Sequence, residues 1–264
     1  RHALIGRGRA RVVTEAGIHS VATGTEIILA GAALLALAFI AAPYGRFSTR
    51  RWGATIGNKA GWVLMELPAV LGFLAVYLLG GKRFQAVPLA LGAMWMTHYI
   101  YRSFIFPLRL RTRGKRMPLV VALMGFTFNC LNVYVVGRWV SEFGSYQTSW
   151  LWDPRFLAGL MIFLTGLAIH VRADGMLIAL RAPGETGYKV PRGWLYDYIA
   201  CPNYFGEIVE WFGFALATWS YAGLAFALFT AANIGPRAFT NLRWYRKTFP
   251  DFPPERKALI PFVV

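Results

Sequence analysis

Long apolar runs alternate along the chain with short segments that carry most of its charge. A helix needs about 20 mainly apolar residues to cross the hydrocarbon core of a bilayer, and seven runs are long enough. The pattern therefore predicts an all-α integral membrane protein, a bundle of seven transmembrane helices forming one membrane-embedded domain over residues 1–264. The predicted spans lie near residues 22–42, 61–80, 86–106, 118–137, 155–172, 204–220 and 221–239.

The last two spans share one apolar run, residues 204–239, which is too long for a single crossing. Trp219, Ser220 and Tyr221 lie near its middle, and aromatic residues favour the interface between membrane and water. We therefore place a turn there. Pro68 lies inside the second span, where a packed bundle tolerates proline and the helix can kink.

Polar side chains inside the apolar runs are the first candidates for chemistry. Glu66 lies in the second span, where an ionisable group is costly and marks a functional site by default. Trp62 shares its helix face, four residues earlier. Tyr99 and Arg102 lie in the third span, and a buried tyrosine hydroxyl can polarise a carbonyl group. An ion pair between Glu66 and Arg102 that serves only bundle assembly is an equal alternative.

A second polar stripe begins the sixth span. Asn203, Glu207 and the pair Glu210 and Trp211 recur at the spacing of one helix face, and Pro202 suits a helix start. Two carboxyl groups and a carboxamide in an apolar span are expensive without partners or a ligand. Such a face could hold a carboxamide, for example that of nicotinamide, and a purely structural polar seam is the alternative.

Composition narrows the class of protein. Hydrophobic residues make up 56% of the chain and charged residues 15%, which excludes a disordered chain. The net charge is +16, but the basic residues fall between apolar runs and not in one patch, which favours membrane loops over nucleic-acid binding. The two cysteines and four histidines show no redox or ligand spacing, so we expect no metal site.

The basic residues also predict an orientation. Loops 43–60, 107–117 and 172–203 and the C-terminal tail lie on one side of the predicted bundle. They carry more than twice as many Lys and Arg as the other side. The positive-inside rule then places the C-terminus in the cytoplasm and the N-terminus outside. The first apolar run lacks a small-residue cleavage pattern, so we expect no cleavable signal peptide.

The basic loops could bind an anionic cofactor. The chain has no Gly-x-Gly-x-x-Gly after a strand and no P-loop, so a nucleotide would bind without a Rossmann domain. Guanidinium groups pair well with phosphates, although the orientation bias alone explains most of these residues. Asp174 among them could bind a ribose hydroxyl or form an ion pair. The basic candidates are Arg113, Lys115, Arg116, Arg181, Lys189, Arg192, Arg237, Arg243 and Arg246.

Several motifs resemble the steroid 5α-reductase family, 3-oxo-5α-steroid 4-dehydrogenases. The resemblance runs from residue 62 to residue 264 and is most specific at the C-terminal end. The matching segments are residues 206–220, residues 256–264, Arg237-Ala-Phe, Arg243-Trp-Tyr245, Glu66-Leu-Pro68, His98-Tyr99 with Arg102, and Pro183-Gly-Glu185 followed by Tyr188 and Pro191. We expect a bacterial homologue in the inner membrane, or a protein of the endoplasmic reticulum if the source is eukaryotic.

The resemblance implies NADPH-dependent reduction of the 4,5 double bond of 3-oxo-4-ene steroids to 5α-steroids. Hydride would pass to carbon 5, with Glu66 and Tyr99 as catalytic residues that polarise the 3-oxo group. Trp62 and Trp211 would flank a steroid that arrives from the lipid phase, and we expect a monomer. The implied cofactor-binding residues are Lys115, His170, Asp174, Arg181, Tyr188, Asn203, Glu207, Arg237, Asn241 and Tyr245.

The chain departs from the family pattern at three places, and other functions remain open. The basic loop near residues 110–113 is two residues longer, His170 stands where asparagine is usual, and Met65 replaces a glutamine. One alternative is a reductase of another conjugated alkene, such as an enoyl thioester or a polyprenol-type aldehyde. The others are a membrane methyltransferase that uses S-adenosylmethionine and a non-catalytic sterol-binding protein. The loop arginines do not distinguish NADPH from NADH.

Overall fold

A computed structural model describes residues 14–43, 45–47, 50–111, 114–182, 185 and 187–264. Arg113 of the basic loop and Pro183 and Gly184 of the family motif lie outside these residues. Within them, a long helix occurs at each of the seven predicted positions. The helices are α1 (Glu15–Phe39), α2 (Asn58–Leu78), α3 (Ala86–Ile100), α4 (Leu119–Phe143), α5 (Pro154–Ala179), α6 (Pro202–Thr218) and α7 (Tyr221–Thr248).

The structure adds short elements between the helices. A π-helical turn, Tyr101–Ile105, continues α3 into one further helical turn, Phe106–Arg109. Strands β1 (Thr55–Gly57) and β2 (Arg116–Pro118) pair in antiparallel orientation. This pair joins the segment before α2 to the segment before α4. Its hydrogen bonds satisfy backbone N–H and C=O groups that no helix would satisfy. Short 3₁₀ turns occupy Gly45–Phe47, Arg50–Trp52, Thr148–Trp152 and Trp194–Asp197.

Local sequence sets the helix ends. Asp153 caps α5 by accepting a hydrogen bond of 2.9 Å from the backbone N–H of Arg155. α6 ends at Trp219 in the left-handed conformation, with φ 45°. Ser220 then caps α7 by accepting from the N–H of Gly223 at 3.0 Å. The predicted turn at these residues is confirmed. In α2 a π-helical turn begins at Pro68, because proline cannot donate the backbone hydrogen bond of a regular turn.

The outer surface of the bundle is apolar. Four described helices, α1, α2, α4 and α5, are long and apolar enough to cross a membrane. On α1, Val21, Ile28 and Leu35 recur every seven residues and are 71%, 73% and 67% exposed. Such a stripe is unfavourable in water but fits a hydrocarbon environment. The all-α membrane class is therefore supported.

Glycines let α5 and α6 approach closely. A side chain at Gly159 would collide with the backbone at Ala217, and one at Gly166 would collide with the backbone at Glu210. Gly206 and Gly213 of α6 are similarly crowded by α5. Small residues at facing positions are a common way to pack helices in membranes. This glycine seam brings the polar C-terminal half of α5 against the polar start of α6.

An aromatic core fills the centre of the bundle. Trp95 of α3 stacks on Phe73 of α2, with ring centroids 4.9 Å apart, and packs on Tyr99 at 4.6 Å. Trp211 of α6 contacts Phe226 of α7 at 4.4 Å. All five side chains are at least nine-tenths buried. The polar groups described below lie beside this core and are shielded by it from solvent.

Candidate active site

Glu66 lies in a buried polar environment between three helices. Its carboxyl group is 3.8 Å from Nε of Arg102 on the α3 extension. Asn129 of α4 donates from Nδ2 to the other carboxyl oxygen at 3.1 Å. Ser103 donates to the Glu66 backbone carbonyl at 3.2 Å. Arg102 therefore lies within ion-pair distance of Glu66, and the amide of Asn129 orients the carboxyl group. The interaction between Glu66 and Arg102 that the sequence analysis held open is present.

Arg102 also links Glu66 to a second carboxyl group. Its Nη1 atom is 3.7 Å from Oδ2 of Asp174 on α5. The guanidinium group lies over the Trp62 ring, 4.5 Å from the centroid, so the charge also has a favourable aromatic partner. Trp62 and Arg102 both line the cavity described below. Arg102 thus lies at the boundary between the buried carboxyl groups and the open cavity.

The glycine seam brings the polar residues of α5 and α6 together. Asn203 donates from Nδ2 to Oδ1 of Asp174 at 3.1 Å. His170 lies 3.5 Å from Oδ2 of Asp174 and 3.6 Å from the Glu207 carboxyl group. Its Nδ1 atom is also 3.1 Å from the Asn203 backbone carbonyl. Together with Glu66 and Arg102, these four residues form what we call the inner polar cluster.

Tyr99 lies deeper, in the aromatic core. It is 3% exposed and packs against the rings of His98 and Trp211, at 4.8 and 5.7 Å. His98 Nδ1 is 2.8 Å from the Glu210 carboxyl group, and both side chains are buried. The polar stripe predicted on α6 therefore divides: Asn203 and Glu207 belong to the inner polar cluster, and Glu210 pairs with His98 behind Tyr99.

A cavity of about 250 Å³ opens beside the inner polar cluster. Its wall includes ends of α2, α5, α6 and α7 and the segments that precede β1 and β2. We call it the basic cavity, because arginine and lysine side chains from several elements line it. Of the residues predicted to bind a cofactor, its wall contains Lys115, Asp174, Arg181, Tyr188, Asn203, Arg237, Asn241 and Tyr245.

Five predicted site residues do not line the basic cavity. His170 and Glu207 lie behind its wall: His170 contacts the wall residues Asp174 and Asn203, and Glu207 contacts His170. Glu66, Tyr99 and Trp211 belong to the buried interior. The predicted catalytic residues are thus separated from most predicted cofactor residues, with Arg102 and Trp62 between the two groups.

Aromatic rings hold the cations of the basic cavity. Arg46 lies 4.2 Å from the Trp244 ring centroid and 4.6 Å from that of Tyr245. Lys115 and Arg181 lie 4.3 and 4.7 Å from the ring of Tyr188. Cation–π contacts of this kind fix a charge in space without neutralising it. The arrangement leaves positive charge facing the cavity.

Arg237 and Asn241 occupy the α7 side of the cavity. Arg237 donates from Nη2 to the Tyr204 hydroxyl at 3.0 Å. Asn241 lies 3.5 Å from the thiol of Cys201. Burial raises the pKa of this thiol to about 11, so little thiolate exists at neutral pH and the group is not a nucleophile. The polar side chains here are therefore suited to binding rather than to covalent chemistry.

Two residues of the site were missed in the sequence analysis. Arg46 was counted only as a loop charge, because nothing in the sequence places it against the distant Trp244 and Tyr245. Asn129 could have been found, since a carboxamide in the fourth apolar run is costly for the same reason as Glu66 in the second. In the part of the chain that the structure describes, no group of His, Cys, Asp and Glu is arranged to hold a metal ion.

Comparison with known proteins places this site in a family. The sequence model of the family 3-oxo-5-alpha-steroid 4-dehydrogenase matches residues 115–264. This chain belongs to that family. It is 42% identical to a steroid 5-alpha-reductase of Gossypium hirsutum over 90% of this chain and 95% of the relative. It is 41% identical to 3-oxo-5-alpha-steroid 4-dehydrogenase 1 of Rattus norvegicus, over 90% of this chain and 93% of that protein.

A third relative, 3-oxo-5-alpha-steroid 4-dehydrogenase 1 of Bos taurus, is 43% identical over 86% of this chain and 90% of that protein. The relatives come from plants and animals, and the matches span nearly their whole length. The predicted family resemblance is therefore confirmed, and with it the class of the protein as an oxidoreductase of steroid metabolism. The family's matched segment includes the predicted cofactor residues and Trp211.

Of the predicted departures from the family pattern, His170 belongs to the inner polar cluster and Met65 lies next to it. Met65 packs close to Gly125 of α4, and its backbone carbonyl accepts a hydrogen bond of 2.8 Å from Asn129. The Met65 side chain thus supports the helix that orients Glu66. His170 contacts both Asp174 and Glu207, which are carboxyl groups. An imidazole here can carry a positive charge between them, which the carboxamide of an asparagine cannot.

Proposed function

We propose that this protein reduces the 4,5 double bond of 3-oxo-4-ene steroids to 5α-steroids with NADPH. The main support is the division of the site into a dry acidic interior and an open basic cavity, together with the family membership. The interior contains Glu66 and Tyr99, two groups that can stabilise negative charge on a carbonyl oxygen. The cavity contains cations suited to phosphates and polar side chains suited to a carboxamide and a ribose.

The residues of the basic cavity fit a dinucleotide. Arg46, Lys115 and Arg181 would pair with its phosphates, since guanidinium and ammonium groups bind phosphate oxygens well. Asp174 would accept from a ribose hydroxyl, and Asn203 would hold the nicotinamide carboxamide near Arg102 and Trp62. The bound cofactor would supply the hydride for carbon 5. Glu207 and His170 would act by positioning Asn203 and Asp174 from behind the cavity wall.

Tyr99 and Glu66, the latter with its carboxyl group protonated, would donate hydrogen bonds to the substrate's 3-oxo group. As hydride adds at carbon 5, negative charge develops on the 3-oxo oxygen, and donors directed at that oxygen stabilise it. A preorganised donor of this type is typically worth about 3–4 kcal/mol. Protonation at carbon 4 then completes the reduction. Trp62 and Trp211 would flank the flat ring system, and the surrounding aromatic core would exclude water.

The membrane arrangement is part of the proposal. All seven helices would cross the membrane as one domain over residues 1–264, with the N-terminus outside and the C-terminus in the cytoplasm. The uneven distribution of Lys and Arg supports this orientation. The basic cavity would then open to the cytoplasm, where NADPH is available. The steroid would enter from lipid, and a monomer would contain every residue invoked here.

The test is NADPH oxidation by purified protein in detergent, with testosterone or progesterone as the acceptor and with the product's stereochemistry determined. A 5α-reduced product is the expected result. Folded protein that leaves both steroids unreduced would refute the proposal. An enoyl thioester or a polyprenol-type aldehyde would then be tested as the substrate. A thermal shift with S-adenosylmethionine and none with NADPH would instead favour a methyltransferase.

A further inference from the structure

A buried carboxyl group on α1 has no role in the proposed reaction. Glu26 is 0% exposed, and within the described residues neither of its oxygens has a hydrogen-bond partner. Asn132 on α4 is also 0% exposed, and both of its amide atoms lack partners in the same part of the chain. Buried polar groups are normally hydrogen-bonded, because leaving them unpaired costs stability. Four such atoms therefore indicate hydrogen bonds that a ligand would complete.

Two contacts fix how α1 and α4 lie against each other. Arg138 pairs with Glu15 at 2.7 Å, and the carbonyl of Val135 lies 2.8 Å from Nε2 of His19. Residue numbers rise on α1 as they fall on α4, so the two helices are antiparallel. Each residue advances a helix by about 1.5 Å. Glu26 is seven residues beyond His19 and therefore lies about 10 Å further along, level with residues 127 and 128 of α4.

Glu26 faces the interior at this depth. It belongs to a buried stripe of α1 that also contains His19, Thr23 and Ala30. Within one to two residues of this level, Asn129 donates to Glu66. Glu26 is therefore a second polar position beside the interior that holds the two proposed catalytic residues.

Asn132 and an aromatic pair border the same region. Asn132 is one turn from Phe128 on α4, and the Phe128 ring stacks on Phe229 of α7 at 3.6 Å. By the same register, Asn132 lies about 6 Å from Glu26 along the bundle axis. Phe226, one turn before Phe229, contacts Trp211 at 4.4 Å. Aromatic rings thus extend from Trp211 to the region between Glu26 and Asn132.

We infer that Glu26 and Asn132 bind an oxygen at the end of the substrate remote from the reacting carbonyl. The inference rests on the proposed function and narrows its substrate to 4-ene-3-oxo steroids with a hydroxyl or oxo group at carbon 17. Glu26 would accept from a hydroxyl, and the Asn132 amide would donate to either oxygen. A site built to bind a polar group discriminates strongly against analogues that lack it, since its own polar atoms then stay unpaired.

The test compares testosterone with androst-4-en-3-one, a steroid that lacks any group at carbon 17. Tryptophan fluorescence gives the dissociation constants, and NADPH oxidation gives kcat and KM. We expect the wild type to bind testosterone about 10-fold more tightly than androst-4-en-3-one, the effect of about one buried hydrogen bond. Glu26→Leu and Asn132→Leu would reduce the ratio of the two dissociation constants toward one. Because androst-4-en-3-one has no oxygen for these side chains to bind, both variants would lose affinity for testosterone only, and Glu26→Gln would keep part of the difference.

Thr23→Val is the matched control, because Thr23 lies on the same stripe and, among the residues that the structure describes, its hydroxyl group bonds only the backbone carbonyl of His19, at 2.9 Å. It should keep the wild-type ratio. A Glu26→Leu variant that keeps the ratio, or loses affinity equally for both steroids, would overturn the inference. A wild type that reduces both steroids equally well would overturn it while leaving the proposed function intact. A wild type that discriminates in binding but oxidises no NADPH would refute only the proposed function.

Discussion

The inner polar cluster and the basic cavity are neighbours with opposite charge arrangements. In the cluster, Arg102 lies between Glu66 and Asp174, so its charge is neutralised within the protein. In the cavity, Arg46, Lys115 and Arg181 are held against aromatic rings, and within the described residues none of them forms an ion pair with a carboxylate. Groups that would act on a neutral substrate are preorganised, whereas groups that would bind an anion keep their charge available for it.

The largest expected effect is in the interior. Tyr99→Phe removes the hydroxyl group and keeps the ring that packs against Trp95, His98 and Trp211. We expect kcat for testosterone to fall about 10²–10³-fold, as for loss of one preorganised donor, with little change in the KM for NADPH. Tyr77→Phe is the control, because its hydroxyl group bonds only the Arg83 carbonyl, at 2.6 Å. Normal turnover by Tyr99→Phe would show that the proposed role of the hydroxyl is wrong.

The next effect concerns the basic cavity. Arg46→Ala removes one of the cations that the cavity holds against aromatic rings. We expect the KM for NADPH to rise about 10–100-fold, the effect of losing a hydrogen bond to a charged group, while kcat changes little. Arg116→Ala is the control, since Arg116 is a cation of β2 that bonds Thr55 and is absent from the cavity wall. An equal rise of the KM for NADPH in both variants would mean that the net charge of the protein, and not the position of Arg46, determines NADPH binding.

A third experiment changes the contact on which the inner polar cluster depends. Gly166→Ala puts a methyl group against the backbone of Glu210 and should push α5 away from α6. We expect the variant to lose about 1–3 kcal/mol of stability, the usual range for overpacking, and to show a lower Tm. Gly24→Ala on α1 is the control, because its added methyl group meets nothing within 4 Å. A Tm equal to that of the control would show that the seam tolerates side chains.

The smallest effect is expected at Asp153, which caps α5 outside both regions. Hydrogen bonds from Arg155 lower the pKa of Asp153 from 3.8 to about 2. The carboxylate therefore adds stability above pH 4, and that stability is lost as the pH falls toward 2. Asp153→Asn should flatten the dependence of Tm on pH in this window, with or without NADPH. An unchanged pH profile would assign the acid sensitivity to other groups.

Much of the architecture was predictable, because long apolar runs dictate helices at known positions. The turn at Trp219 to Tyr221 and the polar stripe on α6 were found from local sequence alone. The split of that stripe was not, since it depends on His98 and His170 approaching from other helices. The contact between Arg46 and Trp244 could not be predicted from the sequence either, because the two residues are far apart along the chain and meet only in the folded structure.

The glycine seam also has a consequence for how the chain assembles. Its contacts involve only α5 and α6, and they rely on close backbone packing that needs no side chain from another helix. The two helices can therefore associate as a pair before the N-terminal helices dock. Asp174, His170, Asn203 and Glu207 would then be in position early. Destabilising substitutions in α1 or α2 would leave the α5 and α6 part of the site folded. A bulky residue in the glycine seam would instead prevent α5 and α6 from pairing.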